Sequence, residues 1–222
     1  MSRRKFKNSM NLFSTKVFLF LLSVFAFSMA AEAQAFYGAT DVKVFRDGRE
    51  KEFRNKDESP LKEEDFPIFK GLNYFSVDKK FRVKADFTRT GDEKYFQMPT
   101  SSGRTKKYIK FGTLKFNLNG KNYSLNVYQA DAETLAKFPE YKDLLFVPFK
   151  DATNGKLTYG GGRYIDIKIT SDKQVILDFN LAYNPSCAYG SDRYSCPIPP
   201  KENFLQVEIN AGEKSYRYST AK

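Results

Sequence analysis

Two polar side chains in the last quarter of the chain have a spacing that suits chemistry. Asp178 and Asn180 flank Phe179, and because side chains alternate along a strand, both would lie on the face opposite Phe179. If that face is the interior of a β-structure, Asp178 needs a cationic partner, and we expect Arg163 or Arg193 to supply it. The pattern therefore indicates either a buried structural ion pair or part of a functional site.

Carboxylates in this part of the chain could also act in pairs. Asp178 with Glu202, or Asp151 with Asp166, would share the acid and base roles of glycoside cleavage if about 5–9.5 Å separated them in an open cleft. Asp151 has a second interpretation, because it begins the turn-forming sequence Asp-Ala-Thr-Asn-Gly, in which Asx side chains bond their own backbone. The catalytic residues therefore stay unassigned, with Asp178, Glu202 and Asp151 as candidates.

A binding pocket is the preferred functional interpretation. Tyrosines near the same polar groups offer flat apolar faces with polar tips, which suit sugar rings and peptides. A pocket at one mouth of the β-structure would hold a small polar ligand, a glycan fragment or the end of a peptide. The candidate binding residues are Tyr159, Arg163, Tyr164, Asp178, Asn180, Asn184 and Asn203. The alternative is a histidine-free hydrolase or lyase acting on cell-envelope or glycan material, and a purely structural role in the envelope stays open.

Several kinds of site are excluded by what the sequence lacks. It contains no histidine, which excludes Ser-His-Asp and Cys-His catalysis and histidine-ligated zinc or haem. No Walker sequence is present, and Gly160–Gly162 has neither dinucleotide-binding spacing nor a following helix. These glycines more simply serve a sharp bend or a close approach between backbones. No cofactor and no metal are therefore predicted.

The elements that must position these residues are mostly short strands. Apolar and polar residues alternate in the segments 81–87, 114–118, 123–127 and 205–209. Asn119–Gly120, between the second and third of them, is a strong signal for a hairpin turn. Residues 165–169 and 175–179 form a further candidate pair around a turn at 171–173. This succession predicts an antiparallel sheet.

A short helix is predicted before the strands. Residues 39–55 place Val42, Phe45, Arg49 and Phe53 along one helical face. The predicted fold class is therefore all-β, a single antiparallel barrel or sandwich-like domain with a short N-terminal helical segment. The predicted division is a signal peptide at 1–33, the helical segment at 34–58 and the β-rich domain at 59–222.

The first 33 residues have the three-part layout of a secretory signal. Basic residues precede an apolar run from 17 to 27, and small residues lead to an Ala-Glu-Ala cleavage pattern that ends at Ala33. The apolar run is well short of the roughly 20 residues that span a bilayer. We therefore expect an exported protein, periplasmic or secreted, with no membrane span after cleavage.

The charge of the mature chain is positive but dispersed. The sequence has 37 Lys and Arg and 26 Asp and Glu; residues 1–33 hold 5 and 1 of these, which leaves 32 against 25, a net charge of +7. The excess is spread along the chain in short pairs, whereas a nucleic-acid-binding protein concentrates it on one face. Nucleic acid is therefore not expected as a partner, and dispersed charge supports attraction to anionic lipid or glycan only weakly. The sequence leaves the oligomeric state open.

Both cysteines lie in the same irregular segment. Cys187 and Cys196 enclose eight residues rich in Tyr, Ser and Gly. In the oxidising compartment that export implies, a disulfide between them is expected. It would pin this loop and contribute about 2–3 kcal/mol to stability in the loop-entropy model.

A distinctive order of short segments runs through the region from Ser59 to Lys214. The segments are Gly71–Asp78, Phe111–Thr113, Leu145–Phe149, Asp151–Gly155, Tyr159–Tyr164, Asp178–Asn180, Tyr183–Pro185, Cys187–Tyr189, Cys196–Pro200, Glu202–Asn203 and Ala211–Lys214. In this order the chain resembles the bacterial domain of unknown function 1684 family, in the form found in exported Bacteroidetes proteins. The resemblance implies a shared fold and a shared site, and it implies no particular activity.

Overall fold

A computed structural model describes residues 39–91 and 94–216 of the chain. The predicted signal peptide at 1–33 lies outside these residues. The helices are α1 (Val42–Arg54) and α2 (Ala132–Lys137). The strands are β1 (Arg82–Arg89), β2 (Phe96–Pro99), β3 (Thr105–Leu118), β4 (Lys121–Ala130), β5 (Leu144–Asp151), β6 (Arg163–Lys168), β7 (Gln174–Asp178) and β8 (Phe204–Leu205). Across the described ranges, no helix has both the length and the apolar character that crossing a membrane requires.

The strands build one sheet that curls into a half-barrel. Their order across the sheet is β6-β5-β4-β3-β1-β7, while β2 pairs with β3 and β8 pairs with β5 outside this path. The pairings are antiparallel except that between β5 and β8. The predicted fold class, an all-β antiparallel barrel-like domain with a short N-terminal helix, is confirmed.

The inner side of the half-barrel holds the main hydrophobic core. Along β1, Val83 and Ala85 are buried while Arg82 and Lys84 are exposed, as expected for a strand with one buried face. The other strands contribute inward residues in the same way, among them Leu114, Phe116, Leu125, Val127, Val147, Phe149, Ile165 and Leu177. Burying each large apolar side chain stabilises the fold by about 1.5–3 kcal/mol.

The hairpin between β3 and β4 forms where the sequence predicts it. Asn119 and Gly120 have φ angles of 52° and 79°. Left-handed backbone at both central residues is the geometry of the tight hairpin turn that Asn-Gly favours. Leu118 and Lys121 are therefore paired directly across the turn.

The predicted pairing of residues 165–169 with 175–179 is wrong. β6 pairs with β5 and β7 pairs with β1, so the two strands lie at opposite ends of the strand order. The connection between them, residues 169–173, can span at most about 20 Å. The curl of the sheet must therefore bring its two edges within that reach. Local alternation cannot distinguish such a crossing from a hairpin.

Helix α1 lies against the irregular segment that follows β7. Phe45, Arg49 and Phe53 are its buried residues, which confirms the predicted helical face. The Phe45 ring lies 5.9 Å from the Tyr183 ring, and the Phe53 ring lies 4.6 Å from the Tyr189 ring, centroid to centroid. Aromatic packing thus joins the helix to the segment that contains several of the predicted site residues.

Candidate functional site

Arg163 is a fully buried arginine at the start of β6. Its Nη2 lies 2.9 Å from a carboxylate oxygen of Asp151 at the end of β5, and both side chains have 0% exposure. The guanidinium also donates to the carbonyl oxygens of Ile209 (2.8 Å), Glu213 (3.3 Å) and Ala211. The ion pair therefore ties β5 and β6 to the C-terminal segment.

The Asp151 carboxylate is occupied on both oxygens. Oδ2 faces Arg163, while Oδ1 accepts from the backbone N–H of Thr153 (2.9 Å), its hydroxyl (2.5 Å) and the N–H of Ile209 (3.2 Å). The turn-forming interpretation of Asp151 therefore matches the geometry. The predicted pairing of Arg163 with Asp178 is wrong, because Asp151 is the carboxylate that Arg163 contacts.

The glycine before Arg163 has a steric function. Gly162 has a φ of +98°, and a Cβ at this position would lie 2.7 Å from the carbonyl oxygen of Phe149 and from Cγ of Pro199. Both the backbone angle and the close approach require glycine. The backbone just before Arg163 therefore lies very close both to β5 and to the segment after Cys196, and this places Arg163 in the interior.

Asp178 ends β7 and starts a short 3-10 turn. Its Oδ1 accepts from the backbone N–H (2.9 Å) and the side-chain amide (2.8 Å) of Asn180. Among the described residues, the cation paired with Asp178 is Arg82, whose Nε lies 3.7 Å from Oδ2 and whose side chain is partly exposed. Arg193, the other predicted partner, instead donates to the carbonyl oxygen of Ser59 at 2.8 Å. Neither predicted arginine therefore pairs with Asp178.

Two of the predicted binding amides bond backbone groups in the interior. The Asn180 side chain accepts from the N–H of Asp78 and donates to its carbonyl, both at 3.0 Å. The Asn203 side chain accepts from the N–H of Asn126 (2.8 Å) and donates to its carbonyl (2.8 Å) and to that of Pro148 (2.6 Å). A ligand would have to break these bonds to reach either amide.

The remaining predicted residues have different surroundings. Asn184 is buried and donates to the carbonyl of Lys214 at 2.8 Å, while its N–H donates to Glu213 at 3.1 Å. Tyr159 is partly buried and packs against an apolar cluster beside α1. Glu202 is exposed and forms no ion pair within the described part of the chain. The structure thus separates the predicted lining into buried structural groups and surface groups.

The predicted disulfide is confirmed. Cys187 and Cys196 are bonded to each other. The N–H of Ser101 donates to the carbonyl of Cys196 at 2.9 Å, and the N–H of Ile198 donates to that of Pro99 at 2.8 Å. The loop closed by the disulfide is therefore fixed to the turn between β2 and β3.

The outer face of the sheet carries a different set of residues. Because side chains alternate along β6, Tyr164 and Asp166 lie on the face opposite the buried ion pair. Across the strands, Asp166 is paired with Phe146, Phe146 with Tyr128, and Tyr128 with Lys110. The register therefore aligns a carboxylate, two aromatic rings and a cation in one row on this face.

Several aromatic rings lie near Asp166 and pack against one another. The Tyr108 ring stacks on Phe146 at 5.6 Å, the Tyr164 ring meets Phe146 edge-on at 4.7 Å, and the Tyr183 ring meets Tyr164 edge-on at 5.8 Å. Asp166, Tyr108, Phe146 and Tyr183 are all partly buried. Tyr141, in the turn after α2, has 37% of its surface exposed. The Asp166 cluster is defined here as Tyr108, Tyr141, Phe146, Tyr164, Asp166 and Tyr183.

The electrostatics of the cluster centre on one carboxyl group. Burial raises the pKa of Asp166 to about 6, opposed by the Tyr183 hydroxyl, which donates to Oδ2 at 2.5 Å, and by the charge of Arg49. Burial first, and then the charge of Asp166, raise the pKa values of Tyr108 and Tyr141. These tyrosines are therefore neutral near pH 7, where Asp166 is mostly ionised. Perturbed groups of this kind are enriched at functional sites.

Arg49 of α1 is the cation behind the cluster. Its guanidinium lies 2.8 Å from Glu52 and 3.8 Å from Glu213, and its Cζ lies 5.1 Å from the centre of the Tyr183 ring. Burial raises the pKa of Glu213, opposed by the charge of Arg49. The guanidinium that influences Asp166 therefore also contacts two other carboxylates.

The sequence was compared with family models and with known proteins. The model described as "Protein of unknown function (DUF1684)" matches residues 68–214. The chain belongs to the DUF1684 family. A similar solved structure is that of the uncharacterized protein from gene locus rrnAC0354 of Haloarcula marismortui. The two sequences are 37% identical, the match covers 78% of this chain and 91% of the Haloarcula chain, and the TM-score is 0.62. Among curated proteins, no match is found.

The DUF1684 match includes both the buried ion pair and the Asp166 cluster, and it begins after α1. The predicted carboxylate pair of Asp151 and Asp166 is separated by the sheet: Asp151 faces Arg163 on the inner side and Asp166 lies on the outer face. Tyr108, Tyr141 and Phe146 are not among the residues that the sequence predicts for a site. Alternation along β3 and β5 places Tyr108 and Phe146 on the outer faces of their strands. Only the register between the strands shows that the two rings meet.

Proposed function

We propose that this chain is an exported, Bacteroidetes-type member of the DUF1684 family that binds a small polar ligand, a glycan fragment or a peptide at the Asp166 cluster. The observation that carries the proposal is a partly exposed carboxylate set among aromatic rings on the outer face of the sheet. Export rests on the cleavage pattern in residues 1–33.

The chemistry of the cluster suits such a ligand. Flat rings bind sugar rings and peptide groups through their faces, and tyrosine hydroxyls and a carboxylate add hydrogen bonds that orient the ligand. The polar groups on the inner side offer less, since both oxygens of the Asp151 carboxylate and both ends of the Asn203 amide are already bonded to other groups of the protein. The Asp166 cluster is therefore the favoured place for binding.

The alternative function is a histidine-free hydrolase or lyase that acts on cell-envelope or glycan material. The observation in its favour is the pKa of Asp166, about 6, because a carboxyl group that titrates near neutral pH suits general acid catalysis. Under this alternative Asp166→Asn would abolish product formation while leaving substrate binding intact. Under the binding function no product forms from any bound compound.

A thermal-shift screen tests the proposed function. The mature protein is heated with muropeptides, oligosaccharides and Ca²⁺, and a compound that binds the folded state raises the melting temperature. The variants Tyr108→Ala and Phe146→Ala should lose the shift. Tyr95→Ala is the matched control, because Tyr95 is 47% exposed and lies outside the cluster.

Two results would contradict the proposed function. One is that no compound of the screen raises the melting temperature of the unmodified protein. The other is a shift that Phe146→Ala leaves intact, or one that Tyr95→Ala removes equally. Either result would mean that the Asp166 cluster is ordinary side-chain packing on the outer face of the sheet and not a binding site.

A further inference from the structure

In the part of the chain that the structure describes, the Asp166 carboxylate forms no ion pair. Its hydrogen-bond partner is the neutral hydroxyl of Tyr183, at 2.5 Å. Within residues 39–91 and 94–216, no lysine or arginine nitrogen lies within ion-pair distance of it. An ionised carboxylate that is partly removed from water and has no cation beside it is in an unfavourable position.

The nearest positive charge does not remove this deficit. Arg49 lies 2.8 Å from Glu52 and 3.8 Å from Glu213, so one guanidinium faces three carboxylates when Asp166 is counted. Among these four side chains, negative charge therefore exceeds positive charge when Asp166 is ionised. A ligand that brought a positive charge would be stabilised there.

The rings of the cluster favour the same kind of ligand. Tyr108 stacks on Phe146, and Tyr164 contacts Phe146 and Tyr183 edge-on, so rings of different orientation pack together next to the carboxylate that the Tyr183 hydroxyl contacts. Ring faces attract cations, and several of them around one carboxylate are the usual means of binding amines and quaternary ammonium groups. A neutral sugar would use the rings but leave the carboxylate uncompensated.

Resting on the proposed function, we infer that the group bound at Asp166 is a cation, a primary amine or a quaternary ammonium group on the ligand. Amino sugars with a free amine and peptides with a free N-terminus belong to this class. The carboxylate provides the counter-charge, and the rings of Tyr108, Phe146 and Tyr183 provide the apolar walls.

The inference sets the direction of the pH dependence. The groups that interact with Asp166 are Arg49 from α1, Tyr108 from β3, Tyr141 from the turn after α2, Tyr164 from β6, and Tyr183. Burial raises the pKa values of Tyr108, Tyr141 and Tyr164, which stay neutral, and it raises the pKa of Asp166 to about 6. Affinity for a cation should therefore fall as the pH drops below about 6, because protonation removes the counter-charge.

Matched ligand pairs test the inference by calorimetry on the unmodified mature protein. The first pair is the glucosamine tetramer and its fully N-acetylated form, and the second is choline and its neutral analogue 3,3-dimethylbutan-1-ol. At pH 7.5 the charged member of at least one pair should bind about tenfold more tightly, a ratio equivalent to about 1.4 kcal/mol. At pH 5 that preference should shrink.

Variants assign the preference to one side chain. Asp166→Asn should abolish the difference within each pair, and Asp172→Asn, a change at an exposed carboxylate, should leave it unaltered. If Asp166→Asn does not fold, the pH profile of the unmodified protein carries the same information.

The outcomes separate this inference from the function on which it rests. If neutral and charged members bind equally, and Phe146→Ala removes that binding, the cation inference is wrong and the proposed function stands. If neither charged probe binds, the cation inference is also wrong. If in addition no compound of the thermal-shift screen binds, the proposed function fails as well.

Discussion

Two carboxylates on neighbouring strands of the sheet have opposite surroundings. Asp151, at the end of β5, is fully buried, 2.9 Å from the guanidinium of Arg163, and also accepts from Thr153. Asp166, on β6, lies on the outer face, is partly buried, and has the hydroxyl of Tyr183 as its hydrogen-bond partner. The carboxylate on the inner side thus has both oxygens bonded to protein groups, including a cation. The carboxylate on the outer side has a hydroxyl as its partner and, within the described residues, forms no ion pair.

The difference suggests how a structural polar cluster can be distinguished from a binding site. A buried charge that receives a cation and several donors stabilises the fold only as part of its network, and it has no capacity left for a ligand. A partly exposed carboxylate with one neutral partner keeps that capacity, at some cost to stability when it is ionised. The predictions below test each half of this comparison.

The largest expected effect is on the inner side. Arg163→Met removes the cation and leaves Asp151 buried without compensation, so we expect the free energy of unfolding to fall by about 3–5 kcal/mol. Urea denaturation measures it. Arg82→Met is the control, because the Arg82–Asp178 pair is partly exposed, with 3.7 Å between its atoms; its expected cost is below about 1 kcal/mol. Equal losses in the two variants would contradict the structural role of the Arg163–Asp151 pair.

The disulfide is expected to contribute next. Replacing Cys187 and Cys196 by serine should lower the free energy of unfolding by about 2–3 kcal/mol, because the unfolded chain regains the freedom of the closed loop. Since the Tyr164 hydroxyl donates to the carbonyl of Pro197 at 2.5 Å, the loss should also weaken binding at the Asp166 cluster. Mass spectrometry provides the check on the unmodified protein, which should be about two hydrogens lighter before reduction. Free thiols in the native protein would contradict the disulfide.

A smaller loss is expected at the buried amide of Asn203. Asn203→Ala leaves the N–H of Asn126 and the carbonyl of Pro148 without this partner, which should cost about 1–3 kcal/mol. Asn122→Ala, at an exposed position on β4, is the control and should change stability by about 0.5 kcal/mol or less. Ligand affinity should be the same in both variants. A selective loss of affinity in Asn203→Ala would place this amide in the site after all.

The smallest effect, and one of opposite sign, is expected on the outer side. Because the folded-state pKa of Asp166 is raised to about 6, its contribution to stability is present at low pH and is lost as the pH rises through that value. Asp166→Asn should therefore make the protein slightly more stable than the unmodified protein at pH 8, by on the order of 1 kcal/mol. The advantage should disappear near pH 4. Denaturation at both pH values measures it, and a destabilised variant at pH 8 would show that ionised Asp166 supports the fold.

Much of the fold follows from local sequence signals. Alternation along β1, the Asn119–Gly120 turn, the buried face of α1 and the disulfide are all read from neighbouring residues, and each is confirmed. The pairing of β6 with β7 is wrong because strand partners in a curled sheet depend on how its edges meet. The way in which the edges meet depends on the whole sheet, so residues 165–179 alone contain no signal for it.

The candidate site was harder to predict for a related reason. Asn180 and Asn203 are of a residue type that is common in binding sites. The sequence alone does not distinguish an asparagine that bonds backbone groups from one that binds a ligand. Arg163 pairs with Asp151 rather than with Asp178. Its guanidinium is also held by carbonyl groups of the C-terminal segment, about 50 residues away in sequence, and local patterns do not reveal such contacts. Tyr108 and Phe146 join Asp166 only through the register of β3, β4 and β5.

The most direct test of the account is an NMR titration of the Asp166 side-chain carboxyl carbon, alone and with saturating glucosamine tetramer. We expect a pKa of about 6 in the free protein, because burial raises it, and a lower pKa in the presence of the amine, because a bound cation favours the ionised form. An ordinary carboxyl pKa that the amine leaves unchanged would contradict the assignment of the Asp166 cluster as the binding site.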